Sequence, residues 1–136
     1  MFTHVMIGTN DIQRSKAFYD KLLAVLGVPP ALENSNPEGI RRLFYLHPQC
    51  VFCVSEPLNG EPATSANGGT MGFTCTSEEQ VFAFHDAAVA AGGVSIEDPP
   101  GPRNPSFGGP TTLAYVRDPD GNKLCAIYRE AAHKKV

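Results

Sequence analysis

A chain of 136 residues has room for one ordinary domain, or for two half-size modules sharing a core, and none for a separate cofactor domain. Its 42% hydrophobic and 18% charged residues are a globular composition, and no apolar run approaches the roughly 20 residues that span a bilayer. A net charge of −3 without a clustered Lys/Arg face argues against a nucleic-acid partner, and a start with neither basic leader nor apolar core predicts a cytoplasmic protein.

The first predicted element is a half-buried strand in which Val5 and Ile7 alternate with His4, Met6 and Gly8. Asn10 or Asp11 then supplies an N-cap, and Phe18, Leu22, Val25 and Leu26 recur at helical spacing, so a helix is expected over 11–26 with Gly27 as its stop. Strands near 30–35, 40–47 and 50–55 follow, broken at Asn34–Pro37 and at His47-Pro48-Gln49. A Pro/Gly-rich stretch at about 56–69 reads as a linker. Beyond it come a strand near 70–75 and a capping box, Ser77-Glu78-Glu79-Gln80, that opens a second helix. Val81, Phe84, Ala88 and Ala91 form its apolar stripe and Gly92-Gly93 its end. A strand near 94–97 leads into a loop over 99–110, whose prolines and Gly108-Gly109 suit a lid with a flexible end. Strands over 112–116 and 123–128 flank Asp118-Pro119-Asp120-Gly121-Asn122, where proline and glycine stand where a hairpin turn wants them.

The chain repeats itself. Ala17-Phe18-Tyr19-Asp20 aligns with Ala83-Phe84-His85-Asp86, and Gly27-Val28 with Gly93-Val94. With one residue dropped between strand and helix, Thr3-His4-Val5-Met6 aligns with Thr70-Met71-Gly72-Phe73. Two βαβββ modules, about 1–56 and 69–130, are therefore expected within one domain. A helix on one side of each sheet leaves the other face open, and curling turns that face into a cup able to hold a ligand. If His4 faces inward so does Met6, Cys53 travels with Val51 and Ser55, and Cys125 travels with Ile127. The four cysteines are expected as free thiols; Cys50 and Cys53 fall on opposite faces of a strand, which disfavours a shared metal.

This order of elements, with His4 in the first strand, Asp11-Ile12-Gln13-Arg14-Ser15 running into Phe18-Tyr19, and Arg117-Asp118-Pro119-Asp120-Gly121-Asn122 before the last strand, resembles the vicinal-oxygen-chelate superfamily of glyoxalases, bleomycin-resistance proteins and extradiol dioxygenases. The resemblance is to its small glyoxalase-like members. It implies an α+β fold in which two βαβββ modules form a curled mixed-sheet cup with one helix per module outside. It also implies an ion inside the cup, held by the first and last strand of each module. The first-strand ligand falls on His4. Its second-module counterpart, usually histidine, falls on Met71; the last-strand position, usually glutamate, falls on Cys125, and its first-module counterpart on Cys53. Only His4 keeps the expected ligand type.

The expected activity is binding of an apolar or amphipathic small molecule in a cup whose metal set is largely replaced. The ligand-binding candidates are His4, Met6, Cys53 and Cys125, the repeat-aligned Met71 and Phe73, and Arg103 and Phe107 from the loop in which relatives often contact substrate. The alternative is a metal-dependent lyase, isomerase or dioxygenase, with His4 and Cys125 as ligands to zinc or nickel. A third reading is an interaction module without a small ligand. His4 serves equally as a ligand or base and as a hydrogen-bonded strand histidine, while buried cysteine commonly serves as a small apolar residue. Relatives commonly pair as two-fold dimers, so a homodimer is expected, with Phe82 as a contact candidate.

Overall fold

Residues 1–104 and 109–130 are described by the structure, a computed structural model. In the first half β1 (His4–Gly8) leads to α1 (Ile12–Ala24), then β2 (Leu32–Ser35), β3 (Arg41–Tyr45) and β4 (Val51–Ser55). The second half repeats the series with β5 (Met71–Thr74), α2 (Glu78–Ala90), β6 (Val94–Arg103), β7 (Thr111–Arg117) and β8 (Lys123–Arg129). Each half closes its own four-stranded sheet, ordered β1-β4-β3-β2 and β5-β8-β7-β6. In both, the first strand pairs in parallel with the last and the remaining pairs are antiparallel. The expected α+β fold of two βαβββ modules is thus the observed one.

Local chemistry sets the helices. Asp11 accepts the Arg14 N–H as N-cap of α1, while Ile12, Ser15, Phe18, Tyr19, Leu22 and Leu23 give one continuous buried face. Gly27, at φ 79°, lets the Val28 N–H turn back onto the Leu23 carbonyl at 3.0 Å. Ser77 caps α2 by accepting the Gln80 N–H, and the Gln80 side chain reaches back to the Thr76 N–H at 2.7 Å.

The two halves share one core. Phe18 of α1 meets Tyr19 at 4.9 Å between ring centroids, Tyr19 meets Phe52 at 5.0 Å, Phe52 meets Phe73 at 5.4 Å, and Phe73 meets Phe84 of α2 at 5.5 Å. A polar clamp adds to this aromatic chain. The buried Tyr19 hydroxyl donates to Asp118 Oδ2 at 2.5 Å; Asn122 Nδ2 donates to the same oxygen at 2.9 Å and to the Gly8 carbonyl at 3.2 Å. Asp118 Oδ1 accepts the backbone N–H groups of Asp120 and Asn122. Asp120 in turn accepts from the Asn10 N–H, the Arg14 guanidinium and the Thr9 hydroxyl, each at 2.9 Å. The D-P-D-G-N segment is therefore a hairpin turn that also ties β8 to the start of α1.

Two expectations on strand placement are corrected. First, β1 ends at Gly8 three residues before its helix cap Asp11, and β5 ends at Thr74 three residues before Ser77, so no residue is dropped between strand and helix. His4 therefore corresponds to Thr70 and Met6 to Gly72, while Met71 and Phe73 correspond to Val5 and Ile7. Second, residues 99–103 are strand rather than loop. β6 runs to Arg103 along β7 with a register shift between Ile96 and Gly101. Its prolines are tolerated because β6 is a sheet edge. The remainder of the expected lid, 105–108, lies outside the described residues.

Gly93 sits where α2, β7 and α1 converge. A Cβ there would lie 2.8 Å from the Ala88 carbonyl oxygen, 2.9 Å from that of Arg117 and 3.1 Å from Phe18 Cε1. Two of those atoms are backbone and yield only if the helix shifts. Gly93→Ala is expected to lower unfolding free energy by about 1–3 kcal/mol in denaturant titration. Gly101→Ala, whose Cβ would meet only the Arg103 guanidinium at 3.9 Å, is expected to stay within about 0.5 kcal/mol of the parent.

Candidate functional site

The helices cover one face of each sheet and leave the other as an outer face. On the first sheet the outer positions are His4 and Met6 of β1, Val51 and Cys53 of β4, and Arg42 and Phe44 of β3, since His4 pairs with Val51, Met6 with Cys53 and Phe44 with Cys53. They line an open concavity of about 820 Å³ with Leu32 and Leu46. Met6 is 46% exposed and Leu32 58%, a large apolar share for an exterior surface. Arg42 donates from Nε to Asn34 at 3.0 Å and lies over the Phe44 ring. His4 is exposed, its Nδ1 in a 2.9 Å hydrogen bond with the Thr3 hydroxyl.

On the second sheet Leu124 and Ala126 enter the core, so Cys125, Ile127 and Arg129 of β8 occupy the outer face. Gly72 and Thr74 of β5 stand beside Cys125 and Ile127, and Tyr115, Leu113 and Thr111 of β7 stand beside Cys125, Ile127 and Arg129. On this floor Cys125 is 3% and Thr111 4% exposed, as Cys53 is 1% on the first. Lys123 pairs with Glu97 and lies 4.8 Å from the Tyr115 ring centroid.

The expected site residues therefore separate. His4, Met6 and Cys53 lie together on the first outer face. Cys125 lies on the other sheet. Met71 and Phe73, expected to face inward, point to the helix side and pack against the core, because the true register of the repeat reverses their faces. There they border a different cavity, about 910 Å³ at the junction of the modules, with Val5, Leu23, Tyr45 and Phe52. Arg103 does not present its guanidinium to a ligand. It donates to the carbonyls of Asp98, Pro99 and Gly101 at 3.0–3.2 Å and so staples the β6 irregularity. Phe107 lies outside the described residues. Glu56 accepts the Arg41 N–H at 2.7 Å and its guanidinium at 3.1 Å, which holds the carboxyl below its usual range and keeps it at the start of β3. Sequence reasoning missed Gly72, Tyr115 and Arg129 on these faces; period-two counting outward from Cys125 reaches Arg129, and the corrected repeat reaches Gly72 and also Thr70, which borders the junction cavity.

The donor chemistry suits a divalent ion poorly. Among the described residues no three His, Cys, Asp or Glu side chains converge. Burial pushes the Cys53 thiol up, with Cys50 adding to the effect. Burial also pushes Cys125 up, against a smaller opposing pull from the Tyr115 hydroxyl and Lys123. Both are therefore neutral thiols near pH 7, whereas coordination needs the thiolate. No carboxylate takes their place on either outer face at the register positions of Cys53 and Cys125.

The family model described as Glyoxalase/Bleomycin resistance protein/Dioxygenase superfamily matches residues 1–126. A protein named probable lactoylglutathione lyase from Vibrio cholerae is 29% identical over 133 residues, covering 96% of this chain and 91% of that protein. A lactoylglutathione lyase from Haemophilus influenzae is also 29% identical, over 89% of this chain and 87% of its own length. Among solved structures, a glyoxalase/bleomycin resistance protein from Albidiferax ferrireducens is 50% identical, covers 95% of this chain and 99% of its own, and superposes with a TM-score of 0.86.

The burial of the thiols has a direct reading. Cys50 is half-buried, while Cys53, Cys75 and Cys125 are buried, and burial lifts Cys75 to about 11. With a thiol-specific reagent at pH 7, Cys50 is expected to react first and the other three to follow only at the rate of unfolding. Peptide mapping of the labelled protein checks the order, and fast labelling of Cys125 would contradict the assignment of its thiol as enclosed and neutral.

Proposed function

The chain belongs to the glyoxalase/bleomycin resistance protein/dioxygenase superfamily, and on that premise we propose that it binds an apolar or amphipathic small molecule on its outer sheet faces, with the usual metal-ligand set largely replaced. The observation that carries this reading is the chemistry of the ligand positions. His4 remains, but enclosed neutral thiols stand at Cys53 and Cys125, and the repeat puts Thr70 opposite His4. Such a surface offers apolar contact and neutral hydrogen-bonding groups, which are suited to holding a ligand. At the positions where the family's ligands fall, His4, Cys53, Thr70 and Cys125, it offers no carboxylate oxygen of the kind with which a Lewis-acid site polarises two neighbouring substrate oxygens. A cytoplasmic setting, which keeps the thiols reduced, accords with this reading.

The second reading, a metal-dependent lyase, isomerase or dioxygenase, is favoured by the retained His4 and by relatives named lactoylglutathione lyase at 29% identity. Elemental analysis of untagged protein separates the two. Zinc and nickel are expected well below one equivalent per chain, and His4→Ala is expected to alter ligand affinity without abolishing a metal-dependent turnover. One equivalent of either metal, lost on His4→Ala or Cys125→Ala together with a chelation-sensitive activity, would establish the second reading instead.

The proposal includes a homodimer. The concavity on the first sheet draws its lining from that half of the chain alone, so a cup walled on both sides calls for a second sheet. The exposed Met6, Leu32 and Leu46 supply an apolar border for it, and Phe82, 41% exposed on α2, is a further contact candidate. Light scattering at micromolar concentration is expected to return twice the chain mass, and a monomer there rules the dimer out.

A further inference from the structure

The cavity of about 910 Å³ at the junction of the modules is distinct from the outer faces, and none of His4, Met6, Cys53 and Cys125 borders it. Close packing leaves protein interiors few voids larger than a water molecule, whereas pockets that hold small molecules span roughly 300–1,000 Å³. Its floor is apolar and aromatic. Leu23, Tyr45 and Phe52 are buried there, and the Phe52 ring meets Phe73 at 5.4 Å between centroids. Polar groups in the wall are already committed within the chain. The Tyr45 hydroxyl donates to Asp20 at 2.8 Å, and Gln80 Nε2 donates to the Val25 carbonyl at 2.9 Å while its Oε1 accepts the Thr76 N–H at 2.7 Å.

The mouth is polar without being charged. His47 and Gln49 are exposed there, with Cys50 half-buried beside them. His47 Nδ1 accepts the Gln49 N–H at 3.2 Å, a role that belongs to the neutral imidazole. Among the described residues no Asp, Glu, Lys or Arg side chain lines the cavity. A charged ligand would give up hydration there with no opposite side-chain charge to replace it, a cost that a neutral molecule escapes. Phe2 borders the same cavity and is 67% exposed, so its ring stands in water next to an apolar concavity. A molecule filling the concavity supplies the surface that this ring lacks.

We infer that the junction cavity is a second binding site, for a neutral small molecule with an aromatic or similarly broad apolar body, and that the Phe2 ring packs over its exposed end. This site stands independently of the outer faces.

N-phenyl-1-naphthylamine and 8-anilino-1-naphthalenesulfonate test it, since they share an aromatic body and differ by one sulfonate. Fluorescence titration of the full chain is expected to show the neutral compound binding more tightly by about tenfold or more. Phe2→Ala, a change at an exposed position, is expected to weaken that binding by about three- to tenfold. Saturation with the neutral compound is also expected to suppress thiol labelling of Cys50, with the same midpoint as the fluorescence change. Equal affinity for the two compounds overturns the assignment of a neutral ligand. Absence of binding, or binding that leaves Cys50 labelling unchanged, overturns the cavity as a site. Affinity that falls in Met6→Ala and holds in Phe2→Ala puts the compound on the first outer face, which overturns this inference and leaves the function proposed above standing.

Discussion

Two carboxylates on one turn decide how the halves of this protein sit. Asp118 receives the Tyr19 hydroxyl from α1 and Asp120 receives Arg14, Asn10 and Thr9 from the same end of the other module. Both carboxylates are nearly sealed from water, Asp118 at 3% residue exposure and Asp120 at 3% for its side chain. In that setting every donor matters, because removing one leaves a buried charge short of partners, a loss larger than the net value of the bond itself. Tyr19 answers with a hydroxyl held firmly protonated, its ionisation opposed first by burial and then by the neighbouring Asp118 charge. The clamp and the aromatic chain from Phe18 to Phe84 together set the relation between the helix-covered faces of the sheets. The outer faces are what remains, so their separation within one chain follows from this joint.

Much of this was legible from local chemistry. Helix caps at Asp11 and Ser77, glycine stops at Gly27 and Gly92, and the 118–122 turn are each decided by residues within a few positions, and they stand where the spacing put them. Features decided at a distance were less legible. The coincidence of Thr3 with Thr70 suggests a one-residue gap in the repeat, and in a strand one residue exchanges the two faces, so that reading turns Met71 and Phe73 into the cup although they pack against the core. The prolines of 99–102 read as loop because proline removes ladder donors, yet an edge strand has one side on which none are needed. Nothing local marked Arg103 as the residue that completes that edge.

The outer faces combine a histidine, thiols held neutral by burial, an aromatic hydroxyl likewise pushed up by burial, and apolar side chains. The charged groups beside them are engaged within the chain, Arg42 with Asn34 and the Phe44 ring and Lys123 with Glu97. Groups so engaged leave shape and a few polar contacts as the basis for recognition there. The corresponding positions on the two sheets are not equivalent: Met6 faces Gly72 across the repeat, so one floor is raised by a long flexible side chain where the other is bare backbone.

The stapled strand β6 has a bearing on where the second sheet can grow. At Pro99, Pro100 and Pro102 the outermost strand of the second sheet has no N–H to offer, and the Arg103 guanidinium occupies the carbonyls of Asp98, Pro99 and Gly101. An incoming strand would find few donors along that stretch and several carbonyls already engaged, so the sheet grows poorly in that direction. The opposite borders, β1 and β5, carry no proline and keep their backbone groups. On the second sheet edge growth is thereby given a polarity: the β6 rim is stripped of donors at its prolines, while the β5 rim keeps them.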